Sequence, residues 1–245
     1  LAHWCTYGRV REGVRLILSR SGSIRKRAQT GGAWDGFLIA QHSADAVKEG
    51  DQRMIVYYNG AFMDLEQVCI SPEDRGFLFA DGVYEVLLAV QGRLFEADVH
   101  FARLRRSLDA LSIPAPDLAE LREKLGTLLE RNDLHRTNAK VYTQITRGVA
   151  PRGHAFPDTP VKPTVYASVV PYTPPEEKWR DGVRAILAPD LRWARCDIKS
   201  LALLPNVLAS QRAKEAGVYE AILVREGVIT EGSHTTLCAV FNEIG

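Results

Sequence analysis

The sequence predicts an α+β protein built from two units, and three observations carry that expectation. Short β-rich runs end in turn dipeptides, such as Asn59-Gly60 inside "MIVYYNGAFM". Leucines at helical spacing fill two consecutive stretches after the first strands. A proline-rich break, "PYTPPEEKW" at 171–179, interrupts the pattern before it restarts. The chain has 245 residues, enough for one large domain or two ordinary ones.

Residues 1–53 read differently from the rest. Arg9, Arg11, Arg15, Arg20, Arg25, Lys26 and Arg27 stand against the single acid Glu12 in 1–30. This is either an acid-poor targeting peptide of mitochondrial type or upstream sequence ahead of a start at Met54. The second is preferred, since Met54 opens a strand-like run, and 1–53 is set outside the fold as a non-family extension. A small α+β domain is expected over 54–170. Strand, Gln91-Gly92 turn and return strand fill 76–98, and Asp98 can cap a helix carrying Phe101, Leu104, Leu108 and Leu111. Leu118, Leu121, Leu125, Leu128 and Leu129 give the second helix one apolar face. Strands follow in 138–148 and 162–170. After the linker 171–175, the unit 176–245 begins with strand "GVRAILAP", helix "LPNVLASQRAKEAG" and strand "YEAILV". "REG" then turns the chain into "VITEGSHTTLCAVF".

Composition is that of an ordinary globular chain: 46% hydrophobic and 25% charged, with net charge +1. That charge offers no global field for nucleic acid, and no apolar run is long enough to span a bilayer. Cys5, Cys69, Cys196 and Cys238 lie far apart without a Cys-x-x-Cys pair, so no metal site is expected and the cytoplasm is the default compartment. The glycines of "DRGFLFADGVYEV" match neither a dinucleotide nor a phosphate-loop fingerprint.

Several residues could carry chemistry, each with an ordinary alternative. Lys199 sits between Ile198 and the run Leu201–Leu204, which can wall an amine and lower its pKa for Schiff-base work; a solvated boundary lysine is the alternative. Glu231 could face a cofactor ring nitrogen, or occupy an exposed turn. Arg152 and His154 could grip a carboxylate, or decorate a polar loop. Arg103 could bind phosphate, or face solvent beside Arg105 and Arg106.

Taken together and in order, "EDRGFLFADGVYEV", "HFARL", "YTQITRGVAPRGHAFP", "RCDIKSLALLPNVLA" and "YEAILVREGVITEGS" resemble the class IV, fold-type IV aminotransferases that depend on pyridoxal 5'-phosphate. Within that family the resemblance is to the D-amino-acid aminotransferases. It implies a two-domain enzyme in which Lys199 forms the Schiff base and shuttles the substrate proton. Glu231 pairs with the pyridine nitrogen, Arg103 binds the phosphate, and Thr235 adds a hydroxyl. Tyr84, Arg152 and His154 trap the substrate carboxylate, the last two reaching in from a partner, which implies a homodimer. Small amino acids such as D-alanine, with 2-oxoglutarate as acceptor, are the implied substrates. A branched-chain aminotransferase, an aminodeoxychorismate lyase and an inactive truncated homologue are the alternatives.

Two departures stand out. His234 occupies a run where the family shows small hydroxylic residues, and the chain stops at Gly245 while the family continues into phosphate-cradling elements. The second departure leads to the expectation of an incomplete larger domain that binds its cofactor weakly.

Overall fold

The computed structural model describes residues 34–37 and 53–238. In chain order the elements are β1 (Trp34–Phe37), β2 (Ile55–Tyr58), β3 (Ala61–Asp64), α1 (Arg75–Phe79), β4 (Gly82–Val90), β5 (Arg93–Leu94), α2 (Ala97–Ala110), α3 (Leu118–Arg131), β6 (Ala139–Thr146) and β7 (Thr164–Pro171). Then come α4 (Glu176–Asp181), β8 (Val183–Pro189), α5 (Leu204–Glu215), β9 (Glu220–Arg225) and β10 (Val228–Gly232). They divide into two units. One takes the described residues from 53 to Thr173 together with Ala194–Ala202; the other takes β1, Pro174–Trp193 and the chain from Leu203.

The first unit is an antiparallel sheet in the order β3-β2-β7-β6-β4-β5. Its hairpins are set by local chemistry. Asn59 and Gly60 both take positive φ, as a tight turn between twisted strands requires, and Gln91 and Gly92 repeat the arrangement. Alternation then sorts the strands. Val83, Leu87, Val141, Ile145, Ala167 and Val169 point to one face and are buried, while Tyr84, Tyr142 and Tyr166 lie on the other. Helices α2 and α3 cover the apolar face with Leu104, Leu108, Leu121, Leu125, Leu128 and Leu129, all essentially buried. Each such leucine contributes roughly 1.5–3 kcal/mol relative to exposure.

Helix α3 begins where Asp117 accepts from the amides of Ala119 and Glu120. Helix α2 starts differently from expectation. Its cap is Glu96 at φ 50°, and Asp98 lies inside the first turn, paired with Arg122 at 2.5 Å. Residues 76–79, expected within a strand, belong to helix α1 instead. The Asp74 carboxylate accepts from Gly76 N at 2.8 Å, and Ala80 closes the turn in the left-handed region.

The second unit holds the sheet β1-β8-β9-β10, in which β8 and β9 run parallel and their neighbours are antiparallel. Helix α5 lies in the connection between the parallel pair and packs Ala209 and Ala213 against Ala188, Ala221 and Leu223. Glu226 and Gly227, both at positive φ, turn β9 into β10. Two differences from the sequence expectation concern this unit. Strand β1, inside the stretch set outside the fold, pairs with β8. Residues 194–202, expected within 176–245, belong to the six-stranded unit, because Leu201 N donates to Gly82 O and Ser200 bridges Val83. Residues 1–33 and 38–52 lie outside the described residues.

Candidate active site

Lys199 is fixed by its backbone. Its N–H donates to Ser107 Oγ on α2 at 3.3 Å, and its carbonyl accepts from Tyr84 N on β4 at 3.0 Å. Ile198 and Ser200 on either side point into the core, at 4% and 7% exposure, so Lys199 projects to the opposite face. There its half-buried Nζ stands 4.3 Å from the centroid of the Tyr84 ring. Tyr84 stacks on Tyr142 at 5.9 Å, and Tyr142 is followed by Tyr166 at 6.4 Å. Burial, with Tyr84 and Tyr166 adding to it, pushes the Tyr142 phenol up, so it stays protonated and donates to Gln144 Oε1 at 2.7 Å.

Arg103 occupies the helix-covered side of the same strand. Glu85, one residue past Tyr84 and only 1% exposed, accepts from Arg103 Nε at 2.6 Å and Nη2 at 2.7 Å, and lies 2.8 Å from His100 Nδ1. Burial pushes the Glu85 carboxyl up, but the bonds from Arg103 and His100 outweigh it and hold the group below the usual range. The guanidinium expected at a phosphate is therefore bonded bidentately to Glu85, with the Arg103 side chain 41% exposed.

Arg152 and His154 lie exposed on the loop after β6, both against the Phe79 ring, at 5.4 and 5.5 Å. Two buried arginines anchor that loop. Arg75 donates to Gly153 O at 2.6 Å, while the backbone N of Arg75 donates to Gly148 O; Arg147 packs its guanidinium 3.7 Å from the Phe156 ring centroid. Asp81 accepts from both arginines, and their bonds overcome the upward push of burial to hold its carboxyl low. Among the described residues, neither Arg152 nor His154 bonds to Lys199 or Tyr84.

In the second unit Glu231 accepts from Arg192 Nη1 at 2.5 Å through Oε2 and is 43% exposed. Among the described residues its Oε1 has no hydrogen bond. Thr235 is buried, and its hydroxyl donates to Glu220 Oε2 at 2.6 Å. Glu220 is one of the residues that sequence reasoning missed. Fully buried at the start of β9, it also accepts from Ser233 Oγ, Ser233 N at 3.1 Å and Ala221 N at 2.7 Å. The departing residue His234 puts its Nδ1 3.1 Å away, so its ring closes this cluster. Burial pushes the Glu220 carboxyl up, and His234, Ser233 and Thr235 more than reverse that. An acid inside the apolar run "EAILV" was the available signal, since a buried charge needs partners.

Among the described residues no group of three or more metal-ligating side chains forms, and no helix is long and apolar enough to cross a membrane.

Residues 82–243 match the family model for amino-transferase class IV. Two relatives named D-alanine aminotransferase are similar to the chain. That of Staphylococcus epidermidis is 42% identical over 186 residues, covering 76% of this chain and 65% of the relative. That of Bacillus licheniformis is 43% identical over 185 residues, covering 75% and 64%. The chain thus spans about 65% of the length of these relatives. Among solved structures, the branched-chain amino acid aminotransferase of Escherichia coli superposes with a TM-score of 0.66 at 19% identity, over 74% of this chain and 63% of that one. A hypothetical aminotransferase from Mycobacterium tuberculosis, in a PLP-bound form, gives 0.63 at 23%, over 73% and 65%. At those identities the likeness speaks for the fold.

Proposed function

The chain belongs to the class IV aminotransferases, and from that premise we propose that it moves the amino group of a small D-amino acid, D-alanine above all, to a 2-oxo acid such as 2-oxoglutarate, with pyridoxal 5'-phosphate as cofactor. The observation that carries this reading is Lys199: a half-buried amine on a backbone locked to β4 and α2. The printed names of the relatives that are 42–43% identical support the choice of D-alanine.

The side chains of each unit, taken by themselves, carry chemistry that the cofactor would use. Lys199 offers an amine for the aldehyde, Glu231 a carboxylate oxygen for the ring nitrogen, and Arg103 a half-exposed cation for the phosphate. Bound there, the cofactor supplies that aldehyde and a ring that draws electrons from the substrate Cα–H bond. The protein's part is proton handling and orientation. The Lys199 amine takes the proton from the substrate Cα and returns it on the far side of the transfer. Glu231 would offer its Oε1 as acceptor to the ring nitrogen. Glu85 holds the guanidinium of Arg103 in one plane. Tyr84 presents its ring and hydroxyl to the substrate carboxylate, and Arg152 with His154 completes that trap from a second copy of the chain, which makes a homodimer the working unit. Thr235, with its hydroxyl given to Glu220, steadies the turn behind Glu231.

The test is amino transfer to 2-oxoglutarate, read as pyruvate from D-alanine and as keto acid from L-leucine. Pyruvate from D-alanine well above the L-leucine rate is expected. Preference for L-leucine, or pyruvate released from aminodeoxychorismate alone, overturns the proposal.

A further inference from the structure

We infer that Arg192 is a positioning residue for Glu231, set in place by Asp190, so that the carboxylate is oriented before any cofactor arrives. The inference rests on the reading of Glu231 as the partner of the ring nitrogen. Its basis is a chain of contacts inside one sheet. The Asp190 side chain is 1% exposed at the end of β8 and accepts from Arg192 Nε and Nη2, both at 3.0 Å, and from Arg192 N at 3.1 Å. Thr230 Oγ1 adds a bond at 2.8 Å, and Arg225 Nη2 lies 3.2 Å away while also donating to Arg192 O.

A guanidinium is a rigid planar fork. With Nε and Nη2 given to Asp190, the direction of Nη1 is settled, and it meets Glu231 Oε2 at 2.5 Å. The Arg192 side chain is 11% exposed, so water competes little for it. Glu231 itself is 43% exposed and sits at an irregularity in the β9–β10 register, where nothing else on its own strand restrains the side chain. Arg192 removes that rotamer freedom. Oε1 is left to accept the ring N–H.

The experiment is a double-mutant cycle on the full chain, read as the pyridoxal phosphate dissociation constant from absorbance, with thermal unfolding without cofactor as control. Arg192→Gln is expected to weaken binding by about tenfold when Glu231 is present, the scale of one hydrogen bond to a charged group. In a Glu231→Ala background the same change is expected to alter binding by less than about twofold. Arg192→Lys keeps the charge beside Asp190 and carries the same test should Arg192→Gln not fold; its loss is expected to be smaller and again confined to the Glu231 background. Equal losses in both backgrounds mean a merely structural role and overturn the inference, as does no loss in either. If Glu231→Ala alone leaves affinity unchanged, the cofactor reading of Glu231 falls and the inference falls with it.

Discussion

Replacing Glu220 probes the turn behind Glu231 most sharply. The side chain has no solvent exposure and accepts from Ser233 Oγ, Thr235 Oγ1, His234 Nδ1 and the amides of Ala221 and Ser233. Glu220→Ala leaves those donors facing a cavity. A buried donor without a partner costs about 1–3 kcal/mol. The donors relax together and admit some water, so the sum is not additive, and the loss expected from breaking such a buried set is about 3–5 kcal/mol. Glu220→Gln keeps the volume and one acceptor but gives up the charge, for about 1–2 kcal/mol. With a urea m-value of roughly 3 kcal/mol/M, the alanine variant moves the midpoint down by about 1–1.7 M. The pH dependence has a definite sign. The folded carboxyl titrates below its ordinary value of 4.5. Its contribution is therefore present above that value and is lost as pH falls through the folded one. The gap between the native chain and Glu220→Gln is thus expected to narrow in acid. A loss under about 1 kcal/mol for Glu220→Ala, or a gap to Glu220→Gln that stays constant from neutral pH into acid, refutes the reasoning.

Two further outcomes follow from the same geometry. A Cβ at Gly82 would meet the backbone of β6, Ile145 O at 2.8 Å and Thr146 Cα at 3.0 Å, besides Leu201 Cδ1 at 2.7 Å, so Gly82→Ala is expected to force β4 and β6 apart where residues 199–201 meet β4. Urea unfolding would then register a loss of about 1–3 kcal/mol together with weaker cofactor binding. Arg152→Ala acts on an exposed loop residue, so stability stays within about 0.5 kcal/mol; KM for D-alanine is expected to rise about tenfold or more with cofactor affinity unchanged, as steady-state kinetics and a cofactor titration on the same preparation will establish.

What the sequence made legible was local. Asn59-Gly60 and Gln91-Gly92 act within a few residues, and each turn lies where expected. Helix α1 was missed because "GFLF" reads as strand, while the decisive group is the buried Asp74, which also takes bonds from Thr146 and Thr164 far along the chain. Helix α4 was missed because five of its six residues are charged and it follows three prolines, leaving Trp179 alone to pack against Ala185 and Ile222. Asp98 looked like a cap, yet the chain turned two residues earlier, at Glu96. The family was readable in five ordered motifs. The partners of the motif residues were not: Glu85 for Arg103, Arg192 for Glu231 and Glu220 for Thr235 lie 18, 39 and 15 residues away and meet only through the sheets. Lys199 was singled out by the ordered motifs rather than by its apolar neighbours, and its place beside β4 depends on pairing with Gly82 and Tyr84, which no local pattern announces.

The central claim is that Lys199 is the amine that takes up the cofactor. Adding pyridoxal phosphate to the full chain, reducing with borohydride and mapping the labelled peptide tests it directly. The account predicts a visible absorbance band that is lost in Lys199→Ala, and a label on the peptide carrying Lys199. A band of equal strength in Lys199→Ala, a label on another lysine, or no band at saturating cofactor would contradict it.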